Sequence, residues 1–221
     1  VTVSPNTAAG KLVVLSPAGI ASQAAVGTPT IQIRSYVYYT WAEIALEQEE
    51  LARVARGNLL DATDSAVGSG HLHREYRAAM QAVAAAAHSI DGLYGVFAPP
   101  YRRQGSRQRV ILERLKLRFA LGKKGLTWLA QFDWLDDLRD GAVHPGFVAH
   151  EPEPHPTGSN VSHENATYAA EAAVRAVDLL LDVLTTCVAN PKTWFHKDRS
   201  TAACHTGMIR TGRVDLWCHA R

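Results

Sequence analysis

One segment near the C-terminal end leaves this chain little choice of fold. Between residues 166 and 188, Ala170, Val174, Val177, Leu181 and Leu184 recur at three- and four-residue intervals, and Leu180 and Val183 widen the stripe. A period of 3.6 describes one buried face of a helix and does not fit a strand. Ser162 or Asn165 supplies a start signal, and Asn190-Pro191 a stop. A single amphipathic helix cannot bury its own stripe, so the rest of the chain has to provide partners.

The partners read as helices too. Residues 36–56 place Tyr36, Tyr39, Ile44, Leu51 and Val54 near one stripe, broadened by Tyr38, Trp41 and Leu46. Glu43, Glu47 and Glu50 lie on a solvated face, and Gly57 ends the helix. Turn formers (Asp61, Asp64, Gly68) mark residues 58–70 as a connection. Residues 71–94 form a second helix closed by Gly95, Pro99 and Pro100. Its all-alanine centre, residues 84–87, lets another helix approach closely and so suits an inner element. Residues 110–119 carry Leu112, Leu115 and Phe119, and residues 126–140 carry Trp128, Leu129, Phe132, Leu135 and Leu138, with Gly122 and Gly125 between them. The expectation is an all-α, up-and-down bundle of about five helices over residues 35–190. It is flanked by an arm (1–34) and a C-terminal extension (191–221), both irregular or short-stranded. In the arm, residues 11–15 and 30–33 are β-prone and suit a small hairpin.

Hydrophobic content of 47% and charged content of 20% fit a globular protein. No run of eighteen apolar residues predicts a membrane span. The first twenty residues lack the charged lead-in of a signal peptide. Three separated cysteines (Cys187, Cys204, Cys218) do not make a disulfide framework, so a reducing, cytoplasmic setting is expected. The net charge of +2 is uninformative, but its distribution is not. Residues 101–124 hold Arg102, Arg103, Arg107, Arg109, Arg114, Lys116, Arg118, Lys123 and Lys124 against the single acid Glu113. Such a run is either a solvated outer face or a seat for an anionic partner, and its imbalance favours the partner.

Two acidic or histidine-rich stretches invite a metal reading. Asp133, Asp136, Asp137 and Asp140 include pairs four apart on one helix. A hard cation wants oxygens from several elements, however, and these acids can equally answer the basic helix. Residues 147–163, with Pro152, Pro154, Pro156 and Gly158, read as an irregular loop. Its His150, His155 and His163, near Glu151 and Glu153, lack zinc-site spacing and read as solvent-exposed. Cys204-His205 and Cys218-His219 lack a Cys-x-x-Cys unit. No metal or other cofactor is expected.

The stretch with the most chemistry is Leu-Arg-Asp-Gly-Ala-Val-His-Pro, residues 138–145. On an unbroken helix, Arg139 and His144 would project about 140° apart. Gly141 caps helix ends well, and Pro145 pushes His144 from helical geometry, so the helix is expected to fray or end near Gly141 and let His144 swing back. A fixed cation beside an imidazole suits phosphodiester cleavage. Cations are also favoured in any last helical turn, for reasons of dipole alone.

Five helices, with Arg139, Asp140 and His144 at the end of the fourth and a final amphipathic helix after them, resemble the HEPN superfamily. Its motif is an arginine, a polar residue, then a histidine after four to six positions. The resemblance covers residues 36–189 and neither flank. It implies a metal-independent endoribonuclease, a toxin or antiviral effector in many members, with a homodimer lining one cleft and a neutralising antitoxin as a further partner. By resemblance, the RNA 2′-hydroxyl attacks, leaving a cyclic phosphate and a 5′-hydroxyl. His144 would move the proton, Arg139 would stabilise the phosphorane, and Asp140 would orient either one. Arg102, Arg103, Arg107, Arg109, Arg114, Lys116 and Arg118 would hold backbone phosphates. Two other readings stay open. One is a non-catalytic helical module binding nucleic acid, nucleotide or a protein. The other is a metal-dependent phosphohydrolase using the acids of residues 133–140.

Overall fold

The computed structural model describes residues 12–16, 19–23, 37–97, 106–144, 150–190, 192, 209–210 and 215–216. In chain order these form β1 (Leu12–Ser16), β2 (Gly19–Gln23), α1 (Val37–Asp61), α2 (Ser65–Phe97), α3 (Arg107–Arg118), α4 (Lys124–Val143), β3 (Glu153–Pro154), β4 (Asn160–Val161), α5 (His163–Thr167), α6 (Ala170–Ala189), β5 (Ile209–Arg210) and β6 (Asp215–Leu216). Two compact units result. Tyr38–Pro191 is the helical bundle, and Val1–Val37 with Lys192–Arg221 is the other unit. In the latter, β1 pairs antiparallel with β2 from Leu12↔Gln23 to Ser16↔Gly19, and β5 pairs with β6. The strand paired with the first β-prone piece is thus Gly19–Gln23. Residues 30–33, and the Cys-His pairs of the tail, lie outside the described residues. Among the described residues, no helix is long and apolar enough to cross a membrane.

The bundle is all-α, as its periodicity requires. Its inner element is α2, where Ala79, Ala82, Val83, Ala85 and Ala86 are buried. Small side chains let three helices meet closely. Ala52 of α1, Ala78, Ala79 and Ala82 of α2, and Ala170 and Ala173 of α6 form one cluster with Tyr168. Larger groups fill the remainder. Trp128, Phe132 and Leu135 of α4, Ile111, Leu112 and Leu115 of α3, and Val177, Leu180 and Val183 of α6 are all buried.

Helix ends depart from the sequence expectation where packing outweighs local preference. α1 runs through Gly57 to Asp61, so the connection is 62–64 rather than 58–70. α4 begins at Lys124, with Gly125 inside its first turn, and the separating turn is at Gly122, whose φ is 55°. A helical glycine costs only about 1 kcal/mol, less than burying one leucine side chain, which gains roughly 1.5–3 kcal/mol. The last helix, by contrast, splits. Tyr168 (ψ 49°) and Ala169 (ψ 166°) leave helical geometry between α5 and α6. Tertiary contacts hold that break: Tyr168 Oη donates to the Leu138 carbonyl at 2.7 Å, and the Ala170 N–H donates to buried Glu75 at 2.8 Å.

Residues 150–163 are likewise more ordered than a free loop. β3 pairs antiparallel with β4, Glu153 opposite Val161. The Gly158 N–H donates to the His155 carbonyl, and Gly158 takes φ 86°, the left-handed position that closes such a turn. Ser162 then caps α5, accepting from the Asn165 N–H.

Candidate functional site

α4 does not stop at Gly141. It continues to Val143, and the His144 N–H still bonds the Asp140 carbonyl at 2.8 Å, as a helical residue would. The reason lies opposite Gly141, where a Cβ would come within 2.8 Å of the Tyr168 hydroxyl. The glycine clears the path by which Tyr168 reaches Leu138, so here it serves packing rather than helix termination. The helix therefore ends near Gly141, two residues beyond it at Val143, and the glycine is not its cap. His144 leaves the helical course only through its own dihedrals, φ −124° and ψ 62°, and its side chain is exposed.

Arg139 sits in a cage of carboxylates. Its Nε and Nη2 donate to Asp140 Oδ1 at 3.0 and 2.5 Å, and Nη2 pairs with Asp136 Oδ1 at 2.6 Å. Nη1 faces Asp91 Oδ2 of α2 at 3.8 Å, beyond hydrogen-bond reach. Asp91 is itself held by Arg107 Nε at 2.5 Å, and Gln108 Nε2 donates to Asp136. Three helices thus lock together through α2 (Asp91), α3 (Arg107, Gln108) and α4 (Asp136, Arg139). Ser106 aims α3 into the cluster by accepting from the Arg109 N–H.

His88, one turn before Asp91, joins this cluster. Its ring lies against Trp41 of α1 with centroids 4.9 Å apart. Burial, and then the charge of Arg139, holds its imidazole below the ordinary value. Burial pushes the Asp136 carboxyl up, with Arg139 opposing and Asp140 and Asp91 reinforcing. Asp91, Gln108 and Asp136 also border a small pocket between α2, α3 and α4, with Phe132. The sequence reading passed over His88, Asp91 and Gln108. Polar residues spaced three apart on an otherwise alanine-lined inner helix were the available signal.

The basic stretch is less uniform than its composition suggests. Arg107 turns inward to Asp91, and Lys116 pairs with Glu113 at 3.1 Å. Arg109 is exposed, whereas Arg114 and Arg118 are half-buried. Arg102 and Arg103 lie outside the described residues. Arg107, on the N-terminal approach to the apolar stripe of α3, is thus engaged by Asp91.

A second polar centre, under the turn of the β3–β4 hairpin, is tighter still, with Glu75 and His155 buried and Glu171 exposed. Arg56 grips Glu75 with Nε and Nη2 at 3.0 and 2.5 Å, and Glu171 with Nη1 and Nη2 at 2.7 and 2.9 Å. His155 Nε2 lies 3.3 Å from Arg56 Nη2, and its Nδ1 lies 2.8 Å from Thr157 Oγ1. His155 is 3% exposed, so it is a buried anchor and not a solvent-facing loop residue. Beside this centre runs a groove of about 760 Å³, lined in part by Arg56, Trp134, Glu171 and Arg175. Its polar groups answer one another: Arg56 holds Glu171, and the Arg175 guanidinium lies 3.7 Å above the Trp134 ring. The larger cavity therefore offers less unspent chemistry than the α4 cluster.

Comparison of the whole chain with protein-family models, with curated proteins and with solved structures finds no match.

Proposed function

We propose that this chain is a metal-independent endoribonuclease. Arg139 and His144 would carry the chemistry, with a pair of copies supplying both sets to one cleft. The supporting observation is the way Arg139 is held. Two carboxylates fix the Nε and Nη2 side of the guanidinium, while Nη1 has Asp91 only at 3.8 Å. A preoriented cation with a donor in reserve can meet charge that develops on a phosphorane. His144, exposed at the helix end, would take the 2′-proton or return one to the leaving 5′-oxygen. Asp140 orients the guanidinium through its short bonds to Arg139. Arg109 and its basic neighbours would hold the backbone, and a toxin or antiviral role with a neutralising protein partner is the setting proposed for this activity.

One observation favours a second reading, a helical module that binds nucleic acid, nucleotide or protein without cutting. Asp91, Asp136 and Asp140 already answer the charge of Arg139. The two readings separate on product chemistry. The purified chain, in excess EDTA, is offered an RNA oligonucleotide and its DNA counterpart. Cleavage of RNA only, with ends bearing a 2′,3′-cyclic phosphate and a 5′-hydroxyl, supports the nuclease. Retention of RNA without cleavage supports the binding module. Cleavage that requires added metal supports neither and points to the acids of α4.

A further inference from the structure

Outside the α4 cluster, one group of side chains has the composition and proximity of a metal centre. His150, Glu153 and His163 each present a ligand atom, and these atoms all lie within 4.8 Å of one another. His163 Nδ1 is 2.7 Å from Glu153 Oε1, and the rings of His150 and His163 stack with centroids 4.1 Å apart and planes at 19°. We propose that these three residues bind one zinc-like dication, which fastens the chain entering the β3–β4 hairpin to the start of α5.

The ligand chemistry selects the class of ion. Two imidazole nitrogens and one carboxylate oxygen suit zinc and its neighbours, and suit magnesium or calcium poorly. The fourth position falls to water. A tetrahedral zinc ion about 2.0–2.2 Å from each ligand needs ligand atoms roughly 3.3–3.5 Å apart. The observed spread of up to 4.8 Å therefore calls for a modest contraction. The side chain best placed to move is His150, which is exposed, whereas Glu153 and His163 are half-buried.

The backbone beneath those two is fixed. Glu153 is in register with Val161, Val161 is buried, and His155, two residues on, is clamped under the hairpin beside Arg56. Ser162 caps the helix whose first residue is His163. The other ring nitrogen of His163, Nε2, lies 3.4 Å from Thr167 Oγ1, a contact that steadies the ring as outer-shell partners of metal-bound histidines do. A hydrogen on His163 Nδ1 bridges it to Glu153 Oε1, because two lone-pair acceptors do not rest 2.7 Å apart. An ion that takes Nδ1 leaves the imidazole hydrogen on Nε2, facing Thr167 Oγ1.

The test reads metal uptake and not RNA cleavage, so it is independent of the nuclease reading. The full chain is stripped with EDTA, desalted and titrated with Zn²⁺ in a calorimeter, and with Co²⁺ in a spectrophotometer. The expected result is a tight equivalent whose cobalt spectrum shows ligand-field bands without a thiolate charge-transfer band, which sets it apart from the tail cysteines. His150→Ala, at an exposed position, abolishes that equivalent, and Glu153→Gln weakens it at least tenfold. Zn²⁺ raises Tm in the parent chain and not in His150→Ala. The proposal is overturned if the parent takes up no zinc, if uptake survives both His150→Ala and His163→Gln, or if the cobalt complex is thiolate-ligated.

Discussion

Arg139 and Asp136, one turn apart on α4, are joined at 2.6 Å, and that same aspartate accepts from Gln108 on α3. One carboxylate therefore orients the guanidinium and ties two helices. Asp136→Ala is expected to destabilise the chain by about 1–3 kcal/mol, the cost of leaving half-buried donors unmatched. It should also lower RNA cleavage by on the order of 10–100-fold through loss of Arg139 orientation. Urea denaturation and initial cleavage rates, read on the same preparation, check both.

Glu75 of α2 joins α1 and α6. It is fully buried, grips Arg56, and receives the first N–H of α6. Glu75→Ala leaves the guanidinium, itself only 12% exposed, with Glu171 alone, and strands the Ala170 N–H. A loss of about 1–3 kcal/mol follows. A drop in the urea midpoint, with unchanged m-value, is the expected readout.

Gly141 and Tyr168 should be strongly coupled. Gly141→Ala puts a methyl 2.8 Å from the Tyr168 hydroxyl, so the usual helical gain of about 1 kcal/mol should turn into a loss. In a Tyr168→Phe background the hydroxyl is gone, and the same substitution should become neutral or stabilising. A thermal double-mutant cycle measures the change of sign.

His88 should give stability a slope in mildly acid solution. It faces Asp91 of its own helix, Arg107 of α3 and Arg139 of α4, and Trp41 of α1 covers its ring. Its folded-state pKa is lowered, first by burial and then by Arg139, so the unfolded chain takes the proton first as pH falls. The contribution of the neutral ring is fully present above the ordinary value of 6.5 and is lost as pH falls through the folded-state pKa. His88→Asn should flatten the fall in urea midpoint over that window, when parent and variant are compared at each pH.

The apolar stripes of α4 and α6 made the fold class legible, whereas in α1 Leu51 and Val54 are exposed and the buried face is Ala42, Ala45, Leu46, Ala52 and Ala55. Trp128, Phe132 and Leu135, and Val177 and Leu180, are buried where period 3.6 put them. Glycines were the poor guide, because a helix with a well-packed face runs through Gly57, Gly125 and Gly141 at small cost. What stayed hidden was non-local. Arg56 meets Glu75 across 19 residues of sequence and His155 across 99, and nothing in the local pattern announces either contact. His150, Glu153 and His163 come together only through a hairpin register that their own spacing does not encode. The Arg139 and His144 pair was visible as a motif, but the carboxylates around Arg139 depend on how α2 and α3 pack against α4.

The account rests on an arginine and an imidazole near the end of α4 acting on RNA. The most direct measurement is the single-turnover cleavage rate of a defined RNA in excess EDTA, for the parent chain and for His144→Ala with matched circular dichroism and Tm. The parent is expected to cleave, and His144→Ala to lose at least about a hundredfold in rate. A folded His144→Ala variant that cleaves at the parental rate would contradict it.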